Sequence, residues 1–364
     1  MKNIGIKEVA DYANVSVATV SNVINGTRPV SEKLRRLVMQ AISELGYESN
    51  LAVNPKQKST KTIGVIVTSL RRVFFPEVLH GIQKNSEKYG YNILIDTSED
   101  KFEREAQIVK MLSNNKVDGI ILHTLSDKND QEYLSYLSNL KRYNKRIPVV
   151  SMERNLLSSN IDSVYVDNYS GGRLAIQHLL DLGSKEIACI SGPVNSEVSN
   201  DRYRAYCDMM NENGTSIKES MVYVGDYSPL SGYRLTRRLL LNGIKPDAIF
   251  SCNDQMAIGA IYAIKEFGLN IPENIKVVGF DNTFVSSIIS PQLTTINVPK
   301  YRMGEEAFSL LYKRMSESEE NANMNNDVDV YEKDAEGIEL PIDIIIRQST
   351  DSKIKSPAWD LEVW

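Results

Sequence analysis

Two adjacent arginines are the residues of this sequence best suited to bind a charged small molecule. Arg71 and Arg72 lie in the segment TSLRRVFF (68–75), which begins at the last residue of the apolar run IGVIVT (63–68). Such a run predicts a buried strand, and ligands of open α/β sheets bind beyond the carboxyl ends of strands. Because guanidinium groups pair with carboxylates and phosphates, we expect an anionic ligand, with Phe74 and Phe75 as walls of its pocket. The alternative is that both arginines point to solvent or to Glu77.

Residues for catalysis or metal binding are sparse. The three cysteines, Cys189, Cys207 and Cys252, lack metal-ligand spacing and lie in or beside apolar segments, which predicts buried thiols in a reducing compartment. His123 ends a short apolar run, from which it could reach a ligand, but a lone histidine at such a position is more often a packing residue. The sequence contains no GxGxxG fingerprint, P-loop or catalytic triad. We therefore expect a binding protein that has no enzymatic activity and needs no cofactor or metal.

The composition is that of a soluble globular chain with more than one domain. Its 364 residues are 42% apolar and 24% charged, and they are too many for one small domain. No apolar run reaches the roughly 18–20 residues that span a bilayer, and the amino terminus lacks the apolar core of a secretory signal. We therefore expect a cytoplasmic protein without a membrane anchor.

The charge is distributed unevenly along the chain. The net charge is −5, but residues 1–61 carry nine Lys/Arg against five Asp/Glu, hence +4. The remainder therefore carries −9, of which −7 lies in the stretch 316–337, with eight acidic residues and one lysine. A basic segment on a near-neutral body fits contact with phosphates, with chance fluctuation as the alternative.

Three short helices are predicted in the basic segment. Apolar periodicity predicts helices over residues 6–12, 17–24 and 32–45, and Ser16 and Ser31 are suitable N-caps for the last two. Two short helices that are joined tightly and closed by a third form a helix-turn-helix. The inward face of the third helix is expected to contain Leu34, Leu37, Val38, Ala41, Ile42 and Leu45.

The segment from Ile6 to Tyr47 resembles the DNA-binding head of the lactose-repressor (LacI) family. The pieces VADYANVS, ATVSNVIN and ISELGY are specific to that family, beyond a generic helix-turn-helix. Many family members have arginine at the position of Asn22, and an amide there should favour adenine over guanine. The alternative for Val17 and Ala18 is that they only pack. The resemblance implies that base edges are read by Val17, Ala18 and Asn22, and that phosphates are held by Ser16, Thr19, Ser21 and Asn25.

The linker after the head departs from the family pattern. In the family this segment becomes a hinge helix on DNA, and a leucine near its end enters the minor groove. Here Pro55 removes a backbone donor, and Lys56 stands at the leucine position. Asn50 can still cap the segment and Lys56 can lie along the phosphates. We expect a weakened or absent hinge helix and a less kinked operator, or a linker that is simply disordered in the free protein.

Strand and helix patterns alternate through the rest of the chain and then restart near Ser163. This alternation predicts doubly wound parallel sheets. The segments VDNYSGGRLAIQHLLDLG, CNDQMAIGA and LPIDIIIRQST look like LacI-family signatures, which extends the resemblance to about residue 350. The expected fold class is α/β, with an all-α helix-turn-helix head followed by a two-lobed periplasmic-binding-protein-like body. The predicted domains are 1–46 (head), 47–61 (hinge), 62–162 plus 292–320 (first lobe), 163–291 plus 338–350 (second lobe), 321–337 (acidic insertion) and 351–364 (tail).

The resemblance places a small effector between the two lobes. Arg202 in RYRAY matches the family's pocket arginine, and Asp254 in NDQMA matches a carboxylate that binds hydroxyl groups. Tyr227 in GDYSP matches a stacking aromatic residue, and Asp281 ends a strand of the second half. Relatives commonly carry aspartate where Ser69 stands, and this lost carboxylate adds to the expectation of a sugar acid or sugar phosphate. The alternatives are a structural Arg202–Asp254 ion pair and ordinary packing for Tyr227.

The resemblance implies a transcriptional repressor of carbohydrate-utilisation genes that binds double-stranded operator DNA as a homodimer and responds to a sugar-like effector. Val78, Leu79 and Ile82 are candidates for the dimer contact, with packing inside the lobe as the alternative. Competing functions are a regulator whose input is a corepressor protein or a purine, a solute-binding protein, and an enzyme of sugar metabolism. The stretch 316–337 is expected to be a mobile loop. The tail, which contains both tryptophans, either docks or is disordered.

Overall fold

The computed structural model describes residues 5–25, 28, 30–45, 59–114, 117–126, 129–142, 145–323 and 334–354. The chain forms two compact units, Met1–Ser59 and Thr60–Trp364. We call the first unit the head and the second the body. No helix within the described ranges is long and apolar enough to cross a membrane.

The head contains the three predicted helices, α1 (Ile6–Tyr12), α2 (Val17–Asn25) and α3 (Glu32–Leu45). Ser16 caps α2, because the amide of Thr19 donates a hydrogen bond to its Oγ at 3.1 Å. Asn14 has a left-handed backbone (φ 52°) in the tight turn between α1 and α2, a conformation that asparagine tolerates. The buried core of the head consists of Val9, Ala10, Ala13, Val20, Val23, Val38 and Ala41.

One predicted core position of the head is wrong. Leu37 is 42% exposed, whereas Val38 and Ala41 are fully buried. Positions 34, 38, 41 and 45 form one stripe along a helix with 3.6 residues per turn, and residue 37 lies to the side of that stripe. Only two short helices cover α3, so the side of the stripe stays open to solvent.

Each lobe of the body is built on a six-stranded sheet. The neighbouring strands pair in parallel throughout, except that the edge strand of the second sheet is antiparallel to its neighbour. The first sheet contains, in spatial order, β13 (Gly337–Glu339), β7 (Asp162–Tyr165), β6 (Val149–Glu153), β3 (Gly119–Leu122), β1 (Thr62–Val67) and β2 (Asn92–Thr97). The second sheet contains β14 (Asp343–Ile345), β12 (Thr294–Asn297), β11 (Lys276–Asp281), β10 (Ala248–Ser251), β8 (Ile187–Ser191) and β9 (Val222–Val224).

Helices cover both sheets, which confirms the predicted α/β class. A short antiparallel hairpin, β4 (Lys141–Arg142) and β5 (Lys145–Arg146), stands apart from the two sheets. The helices of the first lobe are α4 (Phe75–Lys88), α5 (Phe102–Asn114), α6 (Gln131–Ser138) and α12 (Lys300–Asn323). Those of the second lobe are α7 (Asn168–Asp181), α8 (Glu197–Glu212), α9 (Pro229–Leu241), α10 (Asp254–Glu266) and α11 (Phe284–Ile288).

All three crossings between the lobes lie later in the chain than predicted. The first follows β7, which pairs with β6 and β13 in the first sheet, so the boundary at 162/163 is wrong. The second follows β12, which pairs with β11 and β14 in the second sheet, so the boundary at 291/292 is also wrong. The third lies between β13 and β14. Apolar runs predict that strands exist, but they do not show which neighbour a strand will pair with.

Helix α12 corrects the predicted acidic loop. It extends to Asn323, so residues 316–323 are helical rather than part of a loop, and β13 takes up residues 337–339. Residues 324–333 and 355–364, the latter with both tryptophans, lie outside the described residues. On the buried side of α12, the Arg314 guanidinium makes two hydrogen bonds of 2.8 Å to the carboxylate of Asp162. This planar pair fixes α12 to β7 inside the first lobe.

Helices α4 and α12 cross at two glycines. A Cβ added to Gly81 would lie 2.1 Å from the backbone oxygen of Tyr301, and one added to Gly304 would lie 2.0 Å from that of Val78. Val78 and Ile82 are fully buried at this crossing. Their predicted role in a dimer contact is therefore wrong, because both side chains pack inside the lobe.

Candidate functional site

The head presents a polar and small-residue face at the start of α2. Ser16, Val17 and Ala18 are exposed, with Val17 at 41%, and Thr19 is half-buried. Exposure argues against the alternative that Val17 and Ala18 only pack. Ser16 Oγ lies 2.8 Å from Thr19 Oγ1, so two of the three predicted phosphate-binding hydroxyls lie together at the amino end of α2. Helix amino termini attract phosphate through their free amides.

The structure describes only some of the remaining predicted DNA contacts. Ser21 and Asn22 are half-buried on α2. The side chain of Asn25, together with Asn50, Pro55 and Lys56 of the predicted hinge, lies outside the described residues. Their roles stay predictions.

A second set of functional side chains meets at the carboxyl ends of the strands of the body. Arg202, on α8, is 2% exposed. Its Nε donates to Asn168 Oδ1 at 2.9 Å, and a terminal nitrogen donates to the backbone oxygen of Cys252 at 2.7 Å. Its guanidinium lies 3.7 Å from the ring centroid of Phe280. The predicted pocket arginine is thus held on three sides by the second lobe.

Arg202 also connects the two lobes through acidic residues. Its terminal nitrogens lie 3.2 Å from Asp281 Oδ1, at the end of β11, and 3.5 Å from Glu153 Oε1, at the end of β6. Burial raises the pKa of Asp281 to about 8, although the nearby Arg202 acts in the opposite direction. Asp281 therefore carries a proton at neutral pH and can donate a hydrogen bond.

Asp254 does not lie where an effector could reach it. The carboxylate is fully buried; one oxygen accepts from the amide and hydroxyl of Thr283 (2.7 and 3.0 Å), and the other accepts from the hydroxyl of Thr295 (2.6 Å). Burial raises its pKa to about 6 against these hydrogen bonds. The predicted effector contact of Asp254, and the alternative of an ion pair with Arg202, are both wrong. Asp254 fixes the loop after β11 to the start of α10.

Tyr227 and Arg72 face each other across the cleft. The Arg72 guanidinium lies 4.6 Å from the Tyr227 ring centroid and donates to Asp100 Oδ1 at 2.5 Å. The Tyr227 hydroxyl lies 2.7 Å from Ser196 Oγ. For Arg72, the alternative that the side chain points to solvent or to Glu77 is therefore wrong. The carboxylate of Asp100 compensates its charge. The predicted electropositive wall is weaker than the sequence suggests.

The neighbours of Arg72 form the first-lobe side of the cleft. Arg71 is exposed, whereas Phe74 and Phe75 are buried with their ring centroids 5.4 Å apart and their planes perpendicular. Gln255 of the second lobe accepts a hydrogen bond of 3.1 Å from the amide of Val73. This segment is therefore fastened to the opposite lobe by backbone as well as side-chain contacts.

Two further side chains lie at the cleft: His123, for which the sequence favours a packing role over a ligand contact, and Arg154, which the sequence does not single out. His123 Nε2 lies 2.7 Å from Glu153 Oε2, and both side chains are about 9% exposed. Arg154 pairs across the cleft with Glu197 at the start of α8. Polar residues that directly follow apolar runs, as His123 follows β3, are the only sequence signal that could have found them.

The backbone of the cleft is strained at three of these residues. Glu153, Tyr227 and Asp281 have left-handed φ values of 69°, 68° and 106°. Non-glycine residues with positive φ are uncommon and cluster at functional sites, where surrounding contacts hold them. This clustering supports the cleft as the ligand site of the body.

The three cysteines have the surroundings that the sequence predicts. Cys189 and Cys252 are buried and Cys207 is partly buried, and burial raises the pKa of Cys189. No group of His, Cys, Asp or Glu among the described residues could hold a metal ion.

A helix-turn-helix unit followed by a two-lobed body with a polar cleft defines a ligand-binding regulator of transcription. Two family models agree. "Bacterial regulatory proteins, lacI family" matches residues 5–50, and "Periplasmic binding proteins and sugar binding domain of LacI family" matches residues 60–333. The chain belongs to the LacI family and is a DNA-binding transcriptional repressor, not an enzyme.

Individual relatives cover nearly the whole chain. The HTH-type transcriptional repressor PurR of Pasteurella multocida is 35% identical over 350 residues, which cover 96% of this chain and 99% of the relative. The lac repressor dimer bound to operator and the anti-inducer ONPF is 28% identical, with a TM-score of 0.68 over 96% of this chain and 99% of that one. The transcriptional regulator CelR in complex with cellobiose is 26% identical, with a TM-score of 0.67 over 95% and 99%.

Proposed function

We propose that this repressor acts as a homodimer on a pseudopalindromic operator and is controlled by a purine-like base bound in the cleft of the body. This replaces the sugar expected from the sequence as the leading effector. The similarity to PurR repressors over almost the full chain supports a purine. A dimer is supported by the operator-bound lac repressor dimer, and two-fold protein symmetry matches half-site symmetry in DNA.

The observation that carries the effector proposal is the combination of aromatic rings with in-plane polar groups at the cleft. Phe74, Phe75 and Tyr227 supply aromatic rings to the cleft residues, and Arg202 and Asp281 supply hydrogen-bonding groups. A purine base has two flat faces and both donors and acceptors in its plane. Binding sites of this kind hold the faces by packing and select the base by its edge.

A sugar is the second candidate. The chain is 26% identical to CelR, whose solved structure contains cellobiose, and carboxylates with an arginine are suitable partners for hydroxyl groups. An anionic sugar has less support, because Asp100 compensates the charge of Arg72 and the carboxylate of Glu153 compensates that of Arg202.

Control by the effector requires that it bind two arrangements of the lobes with different affinity. The contacts that join the lobes here are Arg202–Glu153, Arg154–Glu197, Arg72–Tyr227 and Gln255–Val73. Three of these lie next to candidate effector-binding side chains. An effector that enters the cleft therefore either displaces these contacts or adds to them. In both cases it changes the relative stability of the two lobe arrangements.

The operator is proposed to be read by Val17, Ala18 and Asn22 and held by Ser16, Thr19 and Ser21, with support from the exposed start of α2. For the linker, we keep the proposal that Pro55 and Lys56 weaken the hinge helix and the operator kink. A circular-permutation assay tests this, and a bend as large as that of a leucine-bearing relative would contradict it.

The test of the proposed function is operator binding by the full chain in the presence of hypoxanthine, guanine or cellobiose. We expect the operator Kd to change with a purine base and not with cellobiose, and to rise steeply with salt, as phosphate contacts require. An operator Kd that responds only to cellobiose would favour the sugar candidate. The absence of any salt-sensitive operator binding by folded protein would contradict the whole proposal.

A further inference from the structure

The two ring nitrogens of His123 have different surroundings. Nε2 lies 2.7 Å from Glu153 Oε2 at the end of β6. Nδ1 is buried and has no hydrogen-bond partner among the residues that the structure describes. The whole residue is 7% exposed, and the Phe75 and His123 rings pack edge to face with their centroids 5.5 Å apart. A buried polar atom without a partner is uncommon in a folded protein and calls for a group to pair with it.

Glu153 determines which nitrogen carries the proton. Burial alone would raise the pKa of Glu153, but the adjacent His123, Arg202 and Arg72 lower it below its ordinary value. An ionised carboxylate only accepts hydrogen bonds, so Nε2 must donate to it. In a neutral imidazole the other nitrogen then presents a lone pair, which makes Nδ1 an acceptor.

Ionisable groups from several elements surround the His123–Glu153 pair. Arg202 balances the negative charge of Glu153. Asp281, with its pKa raised to about 8, carries a proton at neutral pH and adds no charge. Glu105, from α5, also acts on the ring through space, but its own pKa is raised by burial.

We propose that His123 is a specificity-determining residue of the effector site, whose Nδ1 accepts a hydrogen bond from an N–H or O–H group of the effector. Glu153 is its positioning residue, because it fixes both the ring and its tautomer. The placement supports this: His123 directly follows β3 and Glu153 ends β6, at the carboxyl edge where the cleft lies. The inference rests on the proposed function for the nature of the effector, since a ring N–H of a purine is the donor that fits.

Two substitutions separate the two nitrogens. The amide of glutamine reaches the position of Nε2, so His123→Gln keeps a donor to Glu153 and removes the acceptor at Nδ1. The shorter amide of asparagine lies near the position of Nδ1, so His123→Asn keeps an acceptor there. The matched control is His178→Gln in the second lobe, where the ring nitrogen lies 2.9 Å from Thr350 Oγ1, away from the cleft residues.

The measurement is calorimetric binding of hypoxanthine, guanine and cellobiose to the full chain and each variant. We expect His123→Gln to weaken binding of the bound probe roughly 10- to 100-fold, the range for leaving a buried donor unpaired. We expect His123→Asn to recover most of the loss and His178→Gln to leave the Kd unchanged. In nitrogen-detected NMR, the resonance of the unprotonated Nδ1 should shift when the probe is added.

Unfolding of each variant without a probe separates recognition from packing. A structural role would lower the unfolding temperature of His123→Gln and leave the Kd of the folded protein unchanged, and this result would overturn the inference. If only cellobiose binds, the purine proposal fails, while the His123 test proceeds with cellobiose, whose hydroxyls also donate. If none of the three probes binds the wild-type chain, both proposals fall.

Discussion

Val17 and Ala18 of the head are exposed side chains at the start of a helix, whereas Arg202 and Asp281 of the body are buried and bonded to each other. The first pair can be changed without disturbing what surrounds it. The second pair belongs to a cluster in which each charge depends on its neighbours. Function in the head should therefore separate cleanly from folding, and function in the body should not. The following predictions test that contrast.

Replacement of Arg202 should have the largest effect. Arg202→Met leaves the carboxylate of Glu153 without its cation and removes the hydrogen bonds to Asp281, Asn168 and the backbone oxygen of Cys252. We expect a loss of about 3–5 kcal/mol in the free energy of unfolding, as for other buried pairs that lose one partner. Urea denaturation of the body measures it. Arg202→Lys, which keeps the charge but not the fork, should lose less, and a fully stable Arg202→Met would contradict the dependence of the cluster on this cation.

The two buried aspartates should behave differently with pH. Asp281 has a folded pKa of about 8, well above the value of roughly 4 expected when unfolded. The folded state therefore binds the proton more tightly, and the stability from this group is fully present below about pH 4 and lost as the pH rises through 8. Asp281→Asn cannot ionise, so the difference in unfolding free energy between this variant and the wild type should shift in favour of the variant from about pH 4 to about pH 8. Urea denaturation at each pH measures this difference.

Asp254 is the matched control for this experiment. Both of its oxygens accept hydrogen bonds from Thr283 and Thr295. Because an amide cannot accept at both sites, Asp254→Asn should cost about 1–3 kcal/mol of stability. Its effector Kd should stay unchanged, whereas that of Asp281→Asn should change. If Asp254→Asn alters the Kd of folded protein instead, Asp254 belongs to the effector site after all.

These two aspartates also show what the sequence could and could not predict. The helix limits of the head, the alternation of strands and helices, and the positions of Arg202 and Tyr227 follow from periodicity and family motifs. The role of Asp254 does not, because a motif places a carboxylate at the start of a helix but does not show that Thr283, in the loop after β11, and Thr295, in β12, donate hydrogen bonds to it. The sequence also did not show that β7 belongs to the first sheet and β12 to the second, because an apolar run does not show which neighbour a strand pairs with.

In the head, Asn22→Arg should change operator preference without changing stability. An arginine pairs with the O6 and N7 of guanine, and an asparagine pairs with adenine, so the favoured base at that position should switch by about 1–3 kcal/mol. Asn22 lies half-buried on α2, and the head core of Val20 and Val23 is untouched. Competition binding with operators that differ at one position measures the switch. An equal loss of affinity for all sequences would mean that residue 22 contacts the backbone only.

Ser16 offers the smallest effect and the strictest test, because it serves folding and DNA binding at once. Its Oγ accepts from the amide of Thr19, and its hydroxyl is proposed to meet a phosphate. Ser16→Ala should cost about 1 kcal/mol of head stability, whereas Ser16→Gly should cost only a few tenths, since glycine is tolerated at the N-cap. Both should weaken operator binding equally if the hydroxyl meets phosphate, with no change in the salt slope, because serine is uncharged. If only the alanine variant binds the operator more weakly, Ser16 acts by capping α2, and the separation of function from folding in the head fails at this residue.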